Sequence, residues 1–269
     1  MWQGAYIDSI LHCFNFTNLK PLFTPIDVQE KLMPEQAPAS AAEFAAMQDI
    51  PYCKAVGVLN WAVLVTQPDI LFAVSTVACF ASKPGPAHWE AAKQIFHYLA
   101  GSCDLWLLYG EIKRTLIGYT DTDSSMAKDC HVISGYTFLV DGGAVSWSFR
   151  QQKIISLSTT ESEYVAATHG MKEALWLCSL LSEVFGSLKN VTVMFCDNQS
   201  AIALACDHQY HACTQHIDVH YHFIQWVVEQ RVVRLVCCPT EEMVADILMK
   251  ALPSPKVKHF AASLGLCVK

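Results

Sequence analysis

The spacing of apolar positions changes character about two-fifths of the way along the chain. Before residue 105, apolar residues recur every three to four positions, the period of helices with one buried face. Tyr6, Ile7, Ile10, Leu11 and Phe14 mark a first short helix. Lys20-Pro-Leu-Phe-Thr-Pro25 must then be extended, because proline excludes helical geometry from the residue before it. Pro34 to Ala46, rich in Ala, Pro, Glu and Gln, reads as a linker running into a short helix. Val56, Leu59, Val63 and Leu64 keep helical spacing, Pro68-Asp69 restarts a helix that continues from Ile70 to Phe80, and Pro84-Gly85-Pro86 breaks it. His88 to Ala100 resumes with Trp89, Ala92, Ile95, Phe96 and Leu99 on one side.

From Leu105 the period becomes two. Leu105 to Tyr109 and Thr115 to Thr120 read as strands, the second ending in Asp121-Thr-Asp123. Ser134 to Val140 and Ala144 to Phe149 read as an antiparallel pair joined by a tight turn at Asp141-Gly-Gly143. A long helix is expected from Thr160 to Phe185, with Tyr164, Ala167, Met171, Ala174, Leu175, Leu177, Cys178 and Leu181 inward, and Gly186 stops it. Val191, Val193 and Phe195 alternate along a strand that delivers Asp197 to a helix capped by Asn198 or Ser200. A helix from His216 to Gln230, a strand from Val232 to Cys238 and a short acidic helix from Glu241 to Leu248 complete the pattern. The order predicts an α/β module, a mixed sheet with helices on its faces, after an N-terminal helical module.

With 269 residues the chain can hold one large or two small domains. Its apolar fraction of 52% is high, yet no run approaches the ~18 to 20 apolar residues of a spanning helix, so a membrane partner is not expected. The start has no basic stretch followed by an apolar core, and no secretory signal is expected. Twelve cysteines are scattered without a CxxC pair, Cys237-Cys238 being the one adjacent pair, which fits free thiols in a reduced intracellular compartment. A net charge of −7 argues mildly against nucleic-acid binding. Between Glu111 and Lys250 there are 16 acids and 10 Lys/Arg, a net of −6. Four acids holding two divalent cations would bring that stretch to about −2, so the excess is largely local to one site.

Asp121, Glu163, Asp197 and Asp246 each fall at an end or first turn of an expected element. Taken singly, Asp121 could be a turn residue with Asp123, Glu161 or Glu163 could serve the helix start after Ser158, Asp197 could be a cap, and Asp246 a solvated helix acid. Four acids aimed at one point repel unless cations hold them.

The joint pattern goes further. Gly118-Tyr-Thr-Asp-Thr-Asp123, Ser134-Gly-Tyr136, Gly143-Ala-Val-Ser-Trp147, Leu157-Ser-Thr-Thr-Glu-Ser-Glu-Tyr164, Cys196-Asp-Asn-Gln-Ser-Ala-Ile202, His216-Ile-Asp218 with Tyr221-His-Phe223, and Pro239-Thr-Glu241 through Ala245-Asp-Ile-Leu248 resemble the ribonuclease H domain of copia-type retrotransposon Pol polyproteins. Lys20-Pro21, Thr24-Pro25, Pro51-Tyr52, Gln67-Pro-Asp-Ile70 and Pro84-Gly-Pro-Ala-His-Trp89 resemble the piece between polymerase palm and ribonuclease H. The paired aspartates of a palm do not occur, so the resemblance implies a C-terminal fragment without the polymerase centre. It implies a helical thumb or connection-like region at 1–110, a ribonuclease H-like domain with a mixed five-stranded sheet at 111–250, and a helical tail at 251–269.

The resemblance carries over Asp121, Glu163, Asp197 and Asp246 as catalytic, metal-binding acids for two Mg²⁺ ions, with Mn²⁺ as the substitute. Asp121 would bridge the ions, Asp197 and Glu163 would flank them, and Asp246 would complete one. The implied reaction is hydrolysis of the RNA strand of an RNA/DNA hybrid, leaving 5′-phosphate and 3′-hydroxyl ends. Ser158, Asn198, Gln199 and Ser200 are the expected polar contacts to substrate, and Cys196 is expected to face the core. The remaining reverse transcriptase domains are the expected protein partner, in the cytoplasm, a virus-like particle or the nucleus. An integrase-like nuclease would need a catalytic Glu on a late helix, which the order of Glu163 before Asp197 disfavours.

Two features cut across this. His208, His211, His216, His220 and His222 invite a zinc reading, but no glutamate or cysteine pair completes a site. Family members also tend to carry Arg or Lys where this chain has Cys130, His131, Cys178, Cys213, Gln215, His220 and Gln225, and Ser124-Ser125-Met126 departs from the pattern after the first acid. The alternative expectation is therefore a catalytically decayed remnant with a weakened substrate grip.

Overall fold

The computed structural model describes all residues except 30, 111–114, 124–131, 154, 155, 157, 187–189, 207–217 and 269, and only the backbone of 206 and 218–221. The chain divides into two compact units, Met1–Leu108 with the stretch from Lys250 onward, and Tyr109–Met249. The first unit opens with α1 (Gly4–Cys13), α2 (Ala41–Gln48), α3 (Tyr52–Val65), α4 (Leu71–Ala78), α5 (Pro86–Ser102) and β1 (Leu105–Leu107). The second runs β2 (Leu116–Asp123), β3 (Ile133–Val140), β4 (Gly143–Gln151), α6 (Thr159–Phe185), β5 (Thr192–Cys196), α7 (Gln199–Cys206), α8 (Asp218–Glu229), β6 (Val233–Cys237) and α9 (Asp246–Met249). The chain then returns to the first unit with α10 (Ser254–Ser263) and β7 (Leu266–Val268).

In the first unit, Ser40 caps α2 through the Glu43 N–H while the Glu43 carboxylate reaches back to the Ser40 N–H, a reciprocal capping box. Pro68–Ile70 form a 3₁₀ turn between α3 and α4. Asp69 there is buried and accepts the Tyr98 hydroxyl at 2.5 Å. The expected strand at 105–109 is three residues long and stands apart from the large sheet, pairing antiparallel with β7 (Leu105 opposite Val268). Alternation shows that a strand exists and leaves its partner open; here the partner lies at the far end of the chain.

The second unit is built on a five-stranded sheet of order β4-β3-β2-β5-β6. The β2/β3 and β3/β4 pairs are antiparallel, and β5 lies parallel to β2 and β6. This is the ribonuclease H-like α/β arrangement. The β3–β4 turn has both central residues in left-handed backbone, Asp141 at φ 51° and Gly142 at φ 88°, which suits the twist of a two-residue hairpin. Asp141 Oδ1 also accepts the Thr115 N–H and hydroxyl, fastening the turn to the start of β2.

The 27-residue α6 packs across the sheet. Tyr164, Ala167, Met171, Ala174 and Leu177 on its inner face meet Leu116, Phe138 and Met194 from the strands and Ile224 and Val227 from α8, one continuous apolar core. The expected helix at 241–248 is a correction. Thr240–Glu242 form a 3₁₀ turn, Met243 is extended, and α9 spans only Asp246–Met249. The extended backbone of Met243, at φ −73° and ψ 94°, interrupts the helix, and Met243 and Ala245 pack with Cys238 beside Tyr119 and Phe195. Among the described residues no helix is long and apolar enough to cross a membrane.

Candidate functional site

The candidate site lies at the end of β5 beside α6, where Glu163, Cys196 and Asp197 come together; Asp121 on β2 and Asp246 on α9 are not part of that group. Thr122, next to Asp121 on β2, donates its hydroxyl to Glu163 Oε1 at 2.6 Å, so Thr122 faces α6. Strand alternation therefore turns Asp121 to the opposite face of the sheet. Tyr119 shares that face and packs with Phe195, Cys238, Met243 and Ala245. The cross-strand partner of Asp121 is Gly135, and a Cβ added there would sit 2.1 Å from Met249 Sδ. The glycine leaves room for the Met249 side chain of α9 against β3, and α9 begins at Asp246. Asp121 and Asp246 are 2% and 3% exposed and come to the same side of the sheet.

Glu163 lies one turn into α6, whose start is fixed by the Glu161 N–H donating to Ser158 Oγ at 3.2 Å. Asp197 follows β5 directly. Asn198 Oδ1 accepts the Ala201 N–H at 3.0 Å and caps α7, which frees Asp197 from that task. Thr240 in turn donates to Asp197 Oδ2 at 3.3 Å. A carboxylate oxygen of Glu163, one of Asp197 and the Cys196 sulfur all lie within 4.8 Å of one another.

Two thiols report the field of the acids. Burial, then the charge of Glu163, pushes the Cys196 thiol up to about 12, with Asp197 and Asp121 adding and the Asn198 N–H opposing. Burial, then Glu242, Cys237, Asp197 and Asp246, pushes Cys238 up to about 11. All four acids thus act on this pair of sulfurs, with Asp197 common to both. At neutral pH both are neutral S–H groups and the anionic donors are carboxylate oxygens, a set that fits a hard cation such as Mg²⁺ or Mn²⁺. Cys196 is 1% exposed, at once a core residue and a neighbour of the acids.

The other expected contacts are placed as follows. Ser158 caps α6, Asn198 caps α7, and Gln199 and Ser200 are exposed in the first turn of α7. Sequence reasoning missed Thr122 and Thr240, which hold two of the acids; the signal for Thr122 was its place between Asp121 and Asp123 on a strand. Of the positions lacking the family's basic residues, Cys178 is half-buried against the Thr192 hydroxyl at 3.2 Å, and Gln225 is buried. Their loss of charge bears on the interior rather than on a surface contact. Arg114, Ser124 to Met126, Cys130, His131, His208, His211, Cys213, Gln215 and His216 lie outside the described residues, as does the side chain of His220.

No protein-family model matches the chain. The retrovirus-related Pol polyprotein from transposon TNT 1-94 of Nicotiana tabacum is 42% identical over 265 residues, 98% of this chain and 20% of the relative. The corresponding polyprotein from transposon RE1 of Arabidopsis thaliana is 32% identical over 268 residues, 98% of this chain and 18% of the relative. The chain therefore spans about a fifth of the length of these relatives. Among solved structures, LC11-RNase H1 in complex with an RNA/DNA hybrid is 16% identical, covering 50% of this chain and 93% of that one, with a TM-score of 0.38.

Proposed function

We propose that this chain, which belongs to the retrovirus-related Pol polyproteins of copia-type transposons, carries in its second unit a ribonuclease H-type endonuclease that cuts the RNA strand of RNA/DNA hybrids. The observation that carries this reading is the approach of a Glu163 oxygen, an Asp197 oxygen and the Cys196 sulfur to within 4.8 Å of one another at the end of β5. Bound divalent cations, Mg²⁺ or Mn²⁺, would supply an activated water and neutralise the departing 3′ oxygen.

Asp121, Glu163, Asp197 and Asp246 are the residues assigned to hold them. Thr122 and Thr240 orient Glu163 and Asp197 and fix one oxygen of each, so that neither carboxylate must be ordered when substrate arrives. Ser158, Asn198, Gln199 and Ser200 stand at the starts of the two helices that present Glu163 and Asp197, where hydroxyl and amide groups can meet sugar and phosphate oxygens. Selection of RNA is assigned to 2′-hydroxyl contacts across the minor groove. Within the polyprotein, residues 1–110 act as the connection-like region and 251–269 as its tail, the remaining reverse transcriptase domains are the partner, and the cytoplasm or a virus-like particle is the place of action.

A second reading, a decayed remnant, is favoured by the replaced basic residues and by the Gln225 amide, whose buried Nε2 has no hydrogen-bond partner among the described residues. One experiment separates the two. The full chain and its Asp197→Asn variant are incubated with end-labelled hybrid and Mg²⁺ or Mn²⁺. Metal-dependent cutting lost in the variant supports the nuclease, and equal background in both supports the remnant.

A further inference from the structure

A second cleft opens between β3, β4 and α6. It has a volume of about 200 Å³, against about 30 Å³ for a water molecule in the liquid, and admits a group the size of a phosphate with part of its hydration. Ser134, Tyr136, Ser148, Arg150, Lys172 and Glu173 line it, with His169 at its side. Its one carboxylate is partly engaged: Glu173 Oε1 accepts the Ser146 hydroxyl at 2.7 Å. Arg150 and Lys172 are exposed and form no ion pair with any described residue. The Lys172 ammonium stands 5.6 Å from the centre of the Phe223 ring, which holds its stem in place. Ser134 Oγ accepts Gln152 Nε2 at 2.7 Å, leaving its hydrogen for another acceptor.

The cleft is rich in donors and cations, and one oxygen of its lining carboxylate, Glu173, is held by the Ser146 hydroxyl. Its complement is a compact anion with several acceptor oxygens, and guanidinium with ammonium suits phosphate. Lys172 follows Glu163 by nine residues on one helix, about 14 Å along the axis at ~1.5 Å per residue. We propose that this cleft holds a backbone phosphate of the bound nucleic-acid strand, apart from the phosphate at the acids. The proposal rests on the nuclease reading for the position of that strand.

The test measures hybrid affinity of the full chain against KCl, in an Asp197→Asn background so that nothing is cut. The Arg150→Gln/Lys172→Gln pair is compared with that background alone. Removing that one phosphate contact flattens the slope of log K against log salt by about 0.7 to 0.9. A fall of about 0.7 or more, one contact's worth, supports the site; a smaller fall, or no hybrid binding, overturns it. The charge-preserving pair Arg150→Lys/Lys172→Arg must keep the steep slope, and a loss there marks a packing defect and overturns the proposal. Binding of inorganic phosphate without a change in the hybrid slope overturns it as well. Cleavage by the wild-type chain is measured separately: cutting with an unchanged slope sinks the cleft alone, and a flattened slope without cutting sinks the nuclease alone.

Discussion

Replacing Glu163 by Gln should stabilise the cation-free protein and destabilise the cation-loaded one relative to wild type. The carboxylate oxygens of Glu163 and Asp197 lie within 4.8 Å. At an effective dielectric constant of about 20, two unit charges at that distance repel by about 3.5 kcal/mol. Against this stands the Thr122 hydrogen bond, 2.6 Å to Glu163 Oε1, which the amide oxygen of glutamine keeps in weaker form. Bonds to charged acceptors contribute about 1.5 to 3 kcal/mol and neutral ones about 0.5 to 1.5, so the substitution loses about 1 to 1.5 kcal/mol there. The net expectation in EDTA is a variant about 2 kcal/mol more stable than wild type. With Mg²⁺ at ~100 times its dissociation constant, wild type gains about 2.7 kcal/mol by linkage, while the variant, short of one anionic ligand, gains less. Urea unfolding in EDTA and in saturating MgCl₂ reads both numbers. If the variant is no more stable than wild type in EDTA, or if Mg²⁺ raises both equally, the acids do not share one cation site.

Three further expectations follow from other parts of the molecule. Burial, opposed by the Tyr98 hydrogen bond, raises Asp69 to about 6. A raised acid favours folding only while protonated, so stability present below pH ~4 is lost as pH rises through about 6, a difference of about 3 kcal/mol. Asp69→Asn should flatten the pH dependence of the urea midpoint between those values, and an unchanged profile contradicts the reading. Gly135→Ala should cost about 1 to 3 kcal/mol by pressing on Met249, and should reduce metal-dependent cleavage because α9 carries Asp246. A loss of stability without a loss of cleavage would separate α9 from the site. Finally, iodoacetamide at mildly alkaline pH should modify the exposed Cys13, Cys53 and Cys79 of the native chain and spare Cys196, as read by peptide mass spectrometry. Fast labelling of Cys196 would mean that the acids do not surround it.

Much of the second unit was legible because its signals are local. Alternation on Leu116–Asp123 and Ile133–Val140, the Asp141-Gly142 turn and the apolar stripe of Thr159–Phe185 each depend on neighbours within a few residues, and each stands close to its expected bounds. Long-range choices were not legible. The partner of Leu105–Leu107 lies some 160 residues away, and the stretch before Asp246 is interrupted at the extended Met243, which packs with Ala245 and Cys238 against Tyr119 of β2 and Phe195 of β5. The same distinction governs the candidate site. Asp121 was expected to end a strand, whereas β2 runs on to Asp123; that Thr122 would face α6 and steady Glu163 while Asp121 faced α9 could not be read, since alternation separates the two faces without saying what covers each. Adjacent residues on opposite faces can serve one centre only at the end of a strand, where the sheet stops dividing them. Asp197 lies at the end of β5, which runs parallel to β2, and so reaches the same rim. A parallel β2–β5 pair with acids at both C-terminal ends is therefore the feature on which the arrangement turns. Shifting the register of β5 by one residue would move Asp197 away from Glu163 and bury a charge in place of Cys196.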